Sequence, residues 1–263
     1  MNGRNFALVV LLAVVGACET SPLGRNQLIL YPESEMQQMG VAAYQEMQRE
    51  IPRETASAVT GYVQCVVDHI VRAIPQENTA DWEITVFADD QPNAFALPGG
   101  KIGVYTGMLE VAQNQHQLAT VIAHEVAHVI ARHSNERVSA NLATQTGLQV
   151  VKVAAGGNSP ARQELFALLG VGAQVGVLLP FGRAQESEAD LVGLDYMARA
   201  GFDPRESVRL WENMAAVGGA RPPEFLSTHP SGDRRMRDLN ARMRDAMARS
   251  LQARSSGRNP DCR

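Results

Sequence analysis

Residues 124–128 read His124-Glu125-Val126-Ala127-His128, and the fold follows from what this stretch requires. On a helix, two imidazoles four positions apart share one face and can grip a single metal ion, with the intervening glutamate as a proton acceptor beside it. A divalent metal held in this way acidifies a bound water and polarises a carbonyl. That chemistry needs a real helix under the motif and a third ligand elsewhere in the chain. The helix is legible: over residues 115–133 the apolar positions Leu118, Val121, Ile122, Val126, Val129 and Ile130 recur at three- and four-residue spacing.

The third ligand lies downstream, where Glu186-Ser187-Glu188-Ala189-Asp190 opens a helix that runs through Leu191, Leu194 and Met197 to a stop at Gly201. Glu186 and Asp190 are four apart and face the same way, so Glu186 can complete the ligand set while Asp190 accepts a hydrogen bond from the far nitrogen of a ligating histidine. Glu188 points to roughly the opposite side. Taken alone, an acidic helix start is equally a solvated N-terminus favoured by the helix dipole. Beside an HExxH helix the ligand reading is the better one, and three protein ligands with one open position describe a catalytic zinc, one ion per chain.

Upstream, the period changes to two over residues 82–88, a turn follows at 89–92, and Asn93-Ala94-Phe95-Ala96-Leu97 leads through Pro98-Gly99-Gly100 into a strand at 101–106. A small antiparallel sheet beside the motif helix is expected, followed by a short helix at 107–112. Helical spacing also begins near Ser34 (Met36, Met39, Ala43, Tyr44, Met47) and recurs over 56–74. The predicted fold class is α+β, predominantly helical, with residues 33–263 as one domain. Residues 138–179 read as helical and apolar; the stretch 165–179 is shorter than the ~20 residues a membrane span needs and reads as buried core or a cover over the site.

The first residues differ in character. Arg4 precedes an apolar run over residues 6–15 that ends in Val15-Gly16-Ala17-Cys18. This pattern resembles a bacterial lipoprotein signal peptide, residues 1–17, with Cys18 as the lipidated first residue of the mature chain; an ordinary secretory leader is the alternative. Residues 18–32 read as a tether. Cys65 and Cys262 remain as an even pair in what would be an oxidising compartment, either a disulfide or, for Cys65 in its apolar helical pattern, a buried free thiol. The net charge of -4 over 263 residues predicts no affinity for nucleic acid.

HExxH paired with ExxAD, preceded by the 93–100 stretch and followed by Thr228-His229-Pro230, resembles the gluzincin family that contains HtpX, the CaaX prenyl endopeptidases, LoiP and BepA, with the LoiP-like lipoproteins most similar. The resemblance implies zinc held by His124, His128 and Glu186, with Glu125 as general base and then general acid. It implies that His229 approaches the metal, either stabilising the oxyanion or occupying the open position as a removable fourth ligand, with a surface loop histidine as the bland reading. Arg235 matches an arginine that commonly follows and would anchor the loop or pair near Glu186. Asn93, Ala94, Phe95 and Ala96 would form an edge that clamps an extended substrate backbone. Substrates would be unfolded or misassembled envelope proteins, cleaved or, alternatively, chaperoned. Glu19 after the lipid-bearing cysteine favours the inner leaflet of the outer membrane, facing the periplasm of a Gram-negative bacterium. His69, His116 and His133 lack ligand spacing and are expected to be structural or exposed, and the oligomeric state is not encoded in any motif.

Overall fold

The computed structural model describes residues 18–75, 80–154, 181–217, 224–229 and 233–263. The expected leader, the apolar stretch 165–179, Pro230 and the side chain of Cys18 lie outside the described residues.

Helix α4 (Gln115–Ile130) carries the motif and forms the axis of the fold. It starts because the Asn114 side chain accepts from the backbone N–H groups of His116 and Gln117, at 2.9 and 3.0 Å. Every residue from Gln117 to His128 is buried, as expected of a helix packed on all sides. Helix α6 (Arg183–Arg199) lies along it at backbone distance. A Cβ on Gly193 would sit 2.9 Å from the His124 nitrogen and 3.0 Å from the Ala123 carbonyl oxygen. That close approach, with fully buried Ala123, Ala127 and Ala189, brings the carboxylates of α6 up to the histidines of α4.

A three-stranded sheet covers another flank: β3 (Glu83–Phe87), β4 (Ala94–Leu97) and β5 (Lys101–Tyr105), in the order β3-β5-β4. The β4–β5 hairpin is antiparallel and turns through Gly99 and Gly100, whose φ values of +87° and +75° suit glycine. The β3–β5 pair is parallel, so the expected all-antiparallel sheet is corrected to a mixed one. Alternation identifies strands but not their partners. Here β5, buried along its whole length, takes the centre and leaves β4 at the edge. The small Ala94 and Ala96 join the core shared with α4, while Phe95 and Leu97 pack with Ala43 and Tyr44 of α1 (Glu33–Glu50).

The expected helix over 115–133 is also corrected. It stops at Ile130, Arg132 adopts φ 54°, and α5 (His133–Ala154) begins at once. This left-handed step folds His133 back toward α4. Residues 18–32 are not a loose tether: β1 (Cys18–Thr20) and β2 (Asn26–Leu28) form an antiparallel hairpin, with the Gln27 amide donating to the Ala131 carbonyl at 2.8 Å and the Leu30 N–H to Ser139 Oγ at 2.9 Å.

The C-terminal third supplies α7 (Glu206–Val217), α8 (Glu224–Thr228) and α9 (Asp233–Ser255). A disulfide joins Cys65, on α2 (Ser57–Val71), to Cys262 across 197 positions. The tail is further tied to the start of α4 by the Cys262 N–H donating to Gln115 Oε1 at 2.9 Å. A last short helix, α3 (Thr106–Val111), follows β5. Among the described residues no helix is long and apolar enough to cross a membrane.

Candidate metal centre

Four buried side chains converge: His124 and His128 from α4, Glu186 from the first turn of α6, and His229 just after α8. One donor atom of each lies within 4.8 Å of all the others. His124 Nε2 is 3.1 Å from His128 Nε2 and 3.3 Å from His229 Nδ1. Glu186 Oε1 is 3.3 Å from His128 Nε2 and 3.0 Å from His229 Nδ1.

These spacings fit a metal. Four ligands at zinc bond lengths of about 2.0–2.1 Å in a tetrahedron stand roughly 3.3 Å from one another. The two ring nitrogens at 3.1 Å either share a proton or, with both lone pairs turned inward, face a cation between them. Charge points the same way: the carboxylates of Glu125, Glu186 and Asp190 are buried here against the guanidiniums of Arg235 and Arg137. Burial alone would raise the Glu186 carboxyl, yet its contacts with the His128, His229 and His124 rings hold it well below the usual carboxylate range. Burial drives His128 well below the ordinary histidine value, which leaves its ring neutral and fit to ligate.

Each α4 histidine is braced from behind, in a different way. His124 Nδ1 lies 3.0 Å from Asp190 Oδ1, and Arg235 on α9 donates through Nε to Asp190 Oδ2 at 2.5 Å and through its other arm to Glu186. Its guanidinium stacks 3.8 Å over the Trp211 ring, which fixes its plane. His128 Nδ1 instead meets His133 Nδ1 at 2.8 Å, and His133 Nε2 lies 3.2 Å from Glu188 Oε2. Of the two readings expected for His133, structural or exposed, the buried structural one holds: it is fully buried against His128 and outside the donor set. Glu188 does point away from the centre, as its helix position requires, but it closes the support of His128. His69 and His116 lie elsewhere, each edge-on to Phe202.

A cleft opens beside the donors, lined by Asn93 through Leu97, Glu125, Phe181, Thr228 and His229. The Ala96 N–H donates to Glu125 Oε2 at 3.3 Å, while the Asn93 carbonyl accepts from the Tyr105 N–H across the hairpin at 3.0 Å. Alternation then turns the backbone groups of Ala94 and Ala96 away from β5 toward the cleft. Asn93 is buried, and its Oδ1 accepts from the Ala94 N–H at 2.9 Å. Phe95 borders the cleft, yet its ring packs with Phe87 and Tyr105 in the α1 layer. Burial pushes the Glu125 carboxyl above its usual range against the pull of His229 and His124. His229 Nε2 lies 3.4 Å from Glu125 Oε1, so this ring touches both the base and the donor set.

Sequence reasoning missed Phe181 and Arg137. The Phe181 ring stacks on His128, with centroids 3.7 Å apart, and lies 5.0 Å from that of His229; Arg137 sits 3.6 Å above its other side. Burial lowers Arg137 to about 10, which still leaves it charged at neutral pH. A signal existed for His133, five positions past His128, but none for Phe181, whose place depends on the pairing of its N–H with the Thr228 carbonyl at 3.0 Å.

Comparison with known proteins agrees with this geometry. Peptidase family M48 matches residues 57–243. The mitochondrial metalloendopeptidase OMA1 of Schizosaccharomyces pombe is 38% identical over 192 residues, which is 72% of this chain and 55% of that protein. The mitochondrial metalloendopeptidase OMA1 of Bos taurus is 29% identical over 253 residues, 90% of this chain and 48% of its own. The beta-barrel assembly-enhancing protease of Escherichia coli is 28% identical over 243 residues, 84% of this chain and 49% of its own. The chain spans about half the length of these relatives. With the family match running through the HExxH helix, the edge strand and the Glu186 helix, the chain belongs to peptidase family M48.

Proposed function

We propose that the chain is a zinc-dependent endopeptidase of the bacterial envelope that hydrolyses peptide bonds in misfolded or damaged proteins. The observation that carries this reading is the convergence, in one cleft, of the His124-His128-Glu186 donor set, the Glu125 carboxylate and the edge of β4. An extended peptide would add to β4 through the outward carbonyls of Ala94 and Ala96, whose N–H groups bond Asn93 and Glu125, a mode that selects unpaired strands over side-chain sequence. Zinc, when bound by His124, His128 and Glu186, supplies Lewis acidity to a water and a carbonyl. Glu125, its carboxyl raised by burial and steadied by the Ala96 N–H, takes the water's proton and returns it to the departing amine. Asp190 and Arg235 hold His124 and Glu186 in place.

Incubating full-length wild type and Glu125→Gln with an unfolded labelled protein, with and without a zinc chelator, tests this reading. Cleavage should disappear with chelator, return with zinc, and fall by at least ~10²-fold in Glu125→Gln while zinc is retained. Equal cleavage by the variant, or indifference to chelation, would overturn it.

A second reading is favoured by His229, whose Nδ1 stands within the donor set at 3.0 Å from Glu186. As a removable fourth ligand it would keep the enzyme latent, and the chain would then act on clients largely as a chaperone or assembly factor. Latency predicts that His229→Ala raises proteolysis. Loss of rate in a folded variant indicates instead an oxyanion role, and loss of fold a structural ligand.

The envelope location rests on the lipoprotein-like start of the sequence, with Cys18 as the acylated residue at the periplasmic face of the outer membrane. The similarity to the Escherichia coli beta-barrel assembly-enhancing protease supports it. Membrane fractionation of Cys18→Ser is the check: the protein should move to the soluble fraction.

A further inference from the structure

The support of His128 does not end at Glu188. Glu188 also accepts from the Leu23 N–H at 3.0 Å, from Arg25 Nε at 3.2 Å and from the Ser21 hydroxyl, all in the hairpin that precedes α1. Arg25 in turn forks onto Glu136, its second arm at 2.7 Å, and Glu136 accepts from Gln27 at 3.1 Å and Gln185 at 2.7 Å. The line from the ligand outward is His128, His133, Glu188, Arg25, and each member is held by the next.

With zinc on His128 Nε2, hydrogen-bond bookkeeping orders the protons along it. A neutral imidazole has one N–H and one lone pair. His128 directs Nε2 into the donor set, so Nδ1 carries its proton and donates to His133 Nδ1. His133 must then carry its proton on Nε2 and donate to Glu188. Only an ionised Glu188 with its other lone pairs occupied completes this order, and the donors that occupy them are Ser21, Leu23 and Arg25. The ionised carboxylate thereby polarises one imidazole and, through it, the other, which makes His128 a better donor and fixes its ring.

We infer that the N-terminal hairpin is a positioning element for the metal: Arg25, acting through Glu188 and His133, sets the tautomer and orientation of His128, so that docking of residues 18–30 tunes how tightly zinc is held. This rests on the zinc reading above. Among the described residues, none in the hairpin belongs to the donor set or lines the cleft. Its leverage is confined to one ligand, because His124 has its own brace in Asp190 and Arg235.

The test is a double-mutant cycle read as zinc affinity by chelator competition on full-length protein: wild type, Arg25→Met, His133→Phe and the pair. Arg25→Met should weaken zinc binding by about 10-fold, within the range for groups that brace a metal ligand. His133→Phe should weaken it at least as much, and adding Arg25→Met to His133→Phe should change it no further, since the line is already cut. His133→Asn, which keeps a donor and an acceptor, should recover part of the loss. Thermal stability of the zinc-free protein separates this from a packing role: Arg25→Met should shift the zinc-bound form more than the zinc-free form. Equal shifts, additive losses in the cycle, or unchanged affinity in Arg25→Met would overturn the inference. Failure of wild type to bind zinc at all would instead remove the reading beneath it.

Discussion

The two histidines of the motif sit one turn apart on one helix, yet their supports come from opposite ends of the chain. His124 leans on Asp190, backed by Arg235 of α9, a short and direct brace from the C-terminal third. His128 leans on His133 and Glu188, backed by Arg25 of the N-terminal hairpin. The first brace is buried throughout, with both side chains of the Arg235–Asp190 pair nearly inaccessible; the second ends in a guanidinium 27% exposed. Water competes for hydrogen bonds at the second terminus and hardly at all at the first. The support of His124 is thus closed to solvent, and that of His128 ends at the surface.

Breaking the buried brace should have the largest effect. Asp190→Ala takes the buried partner from Arg235 Nε and leaves that guanidinium only Glu186, and loss of one partner of a buried pair costs up to about 3–5 kcal/mol, measurable by denaturant unfolding. Reducing the disulfide between Cys65 and Cys262, which pins the tail to α2 near the start of α4, should cost about 2–5 kcal/mol in the same assay. Gly193→Ala forces a methyl against the His124 backbone where α4 and α6 touch; a loss of about 1–3 kcal/mol is expected, with zinc affinity falling because both ligand helices must part.

The smallest effect belongs to the exposed brace. Hydrogen bonds from Arg25, Gln185 and Gln27 hold Glu136 below the usual glutamate value, although burial opposes them. A carboxyl depressed on folding stabilises the protein at pH above its unfolded value, and that contribution fades as pH falls through the folded one. Wild type should therefore lose stability below about pH 4.5 more steeply than Glu136→Gln, as read from melting temperature against pH. Parallel curves would mean that the fork onto Arg25 contributes nothing to docking of the hairpin.

Much of the centre was legible in advance because it depends on spacing within single helices. The four-residue steps in His124 to His128 and in Glu186 to Asp190 place each pair on one face whatever surrounds them. The separation of side chains along β4, with alanines to α4 and Phe95 and Leu97 to α1, came only with the packing. The parallel pairing of β3 with β5 was not legible, because a strand's pattern says which face is buried and not which neighbour it finds. The position of His133 five residues past His128 was a signal, but its contact with that ring hangs on the left-handed turn at Arg132.

The sequence by itself determined the chemistry: which residues can hold a metal, which carboxylate can move a proton, and on what kind of element each lies. Those properties are local, set by residue type and helical period. Only the tertiary structure decided how each ligand is oriented and what shares the site with it. Arg25 meets Glu188 across 163 positions and Phe181 stacks on His128 from a separate segment. Contacts of that kind are created by packing, through the close approach of α4 and α6 at Gly193 and the docking of the first hairpin, and no period along the chain encodes them.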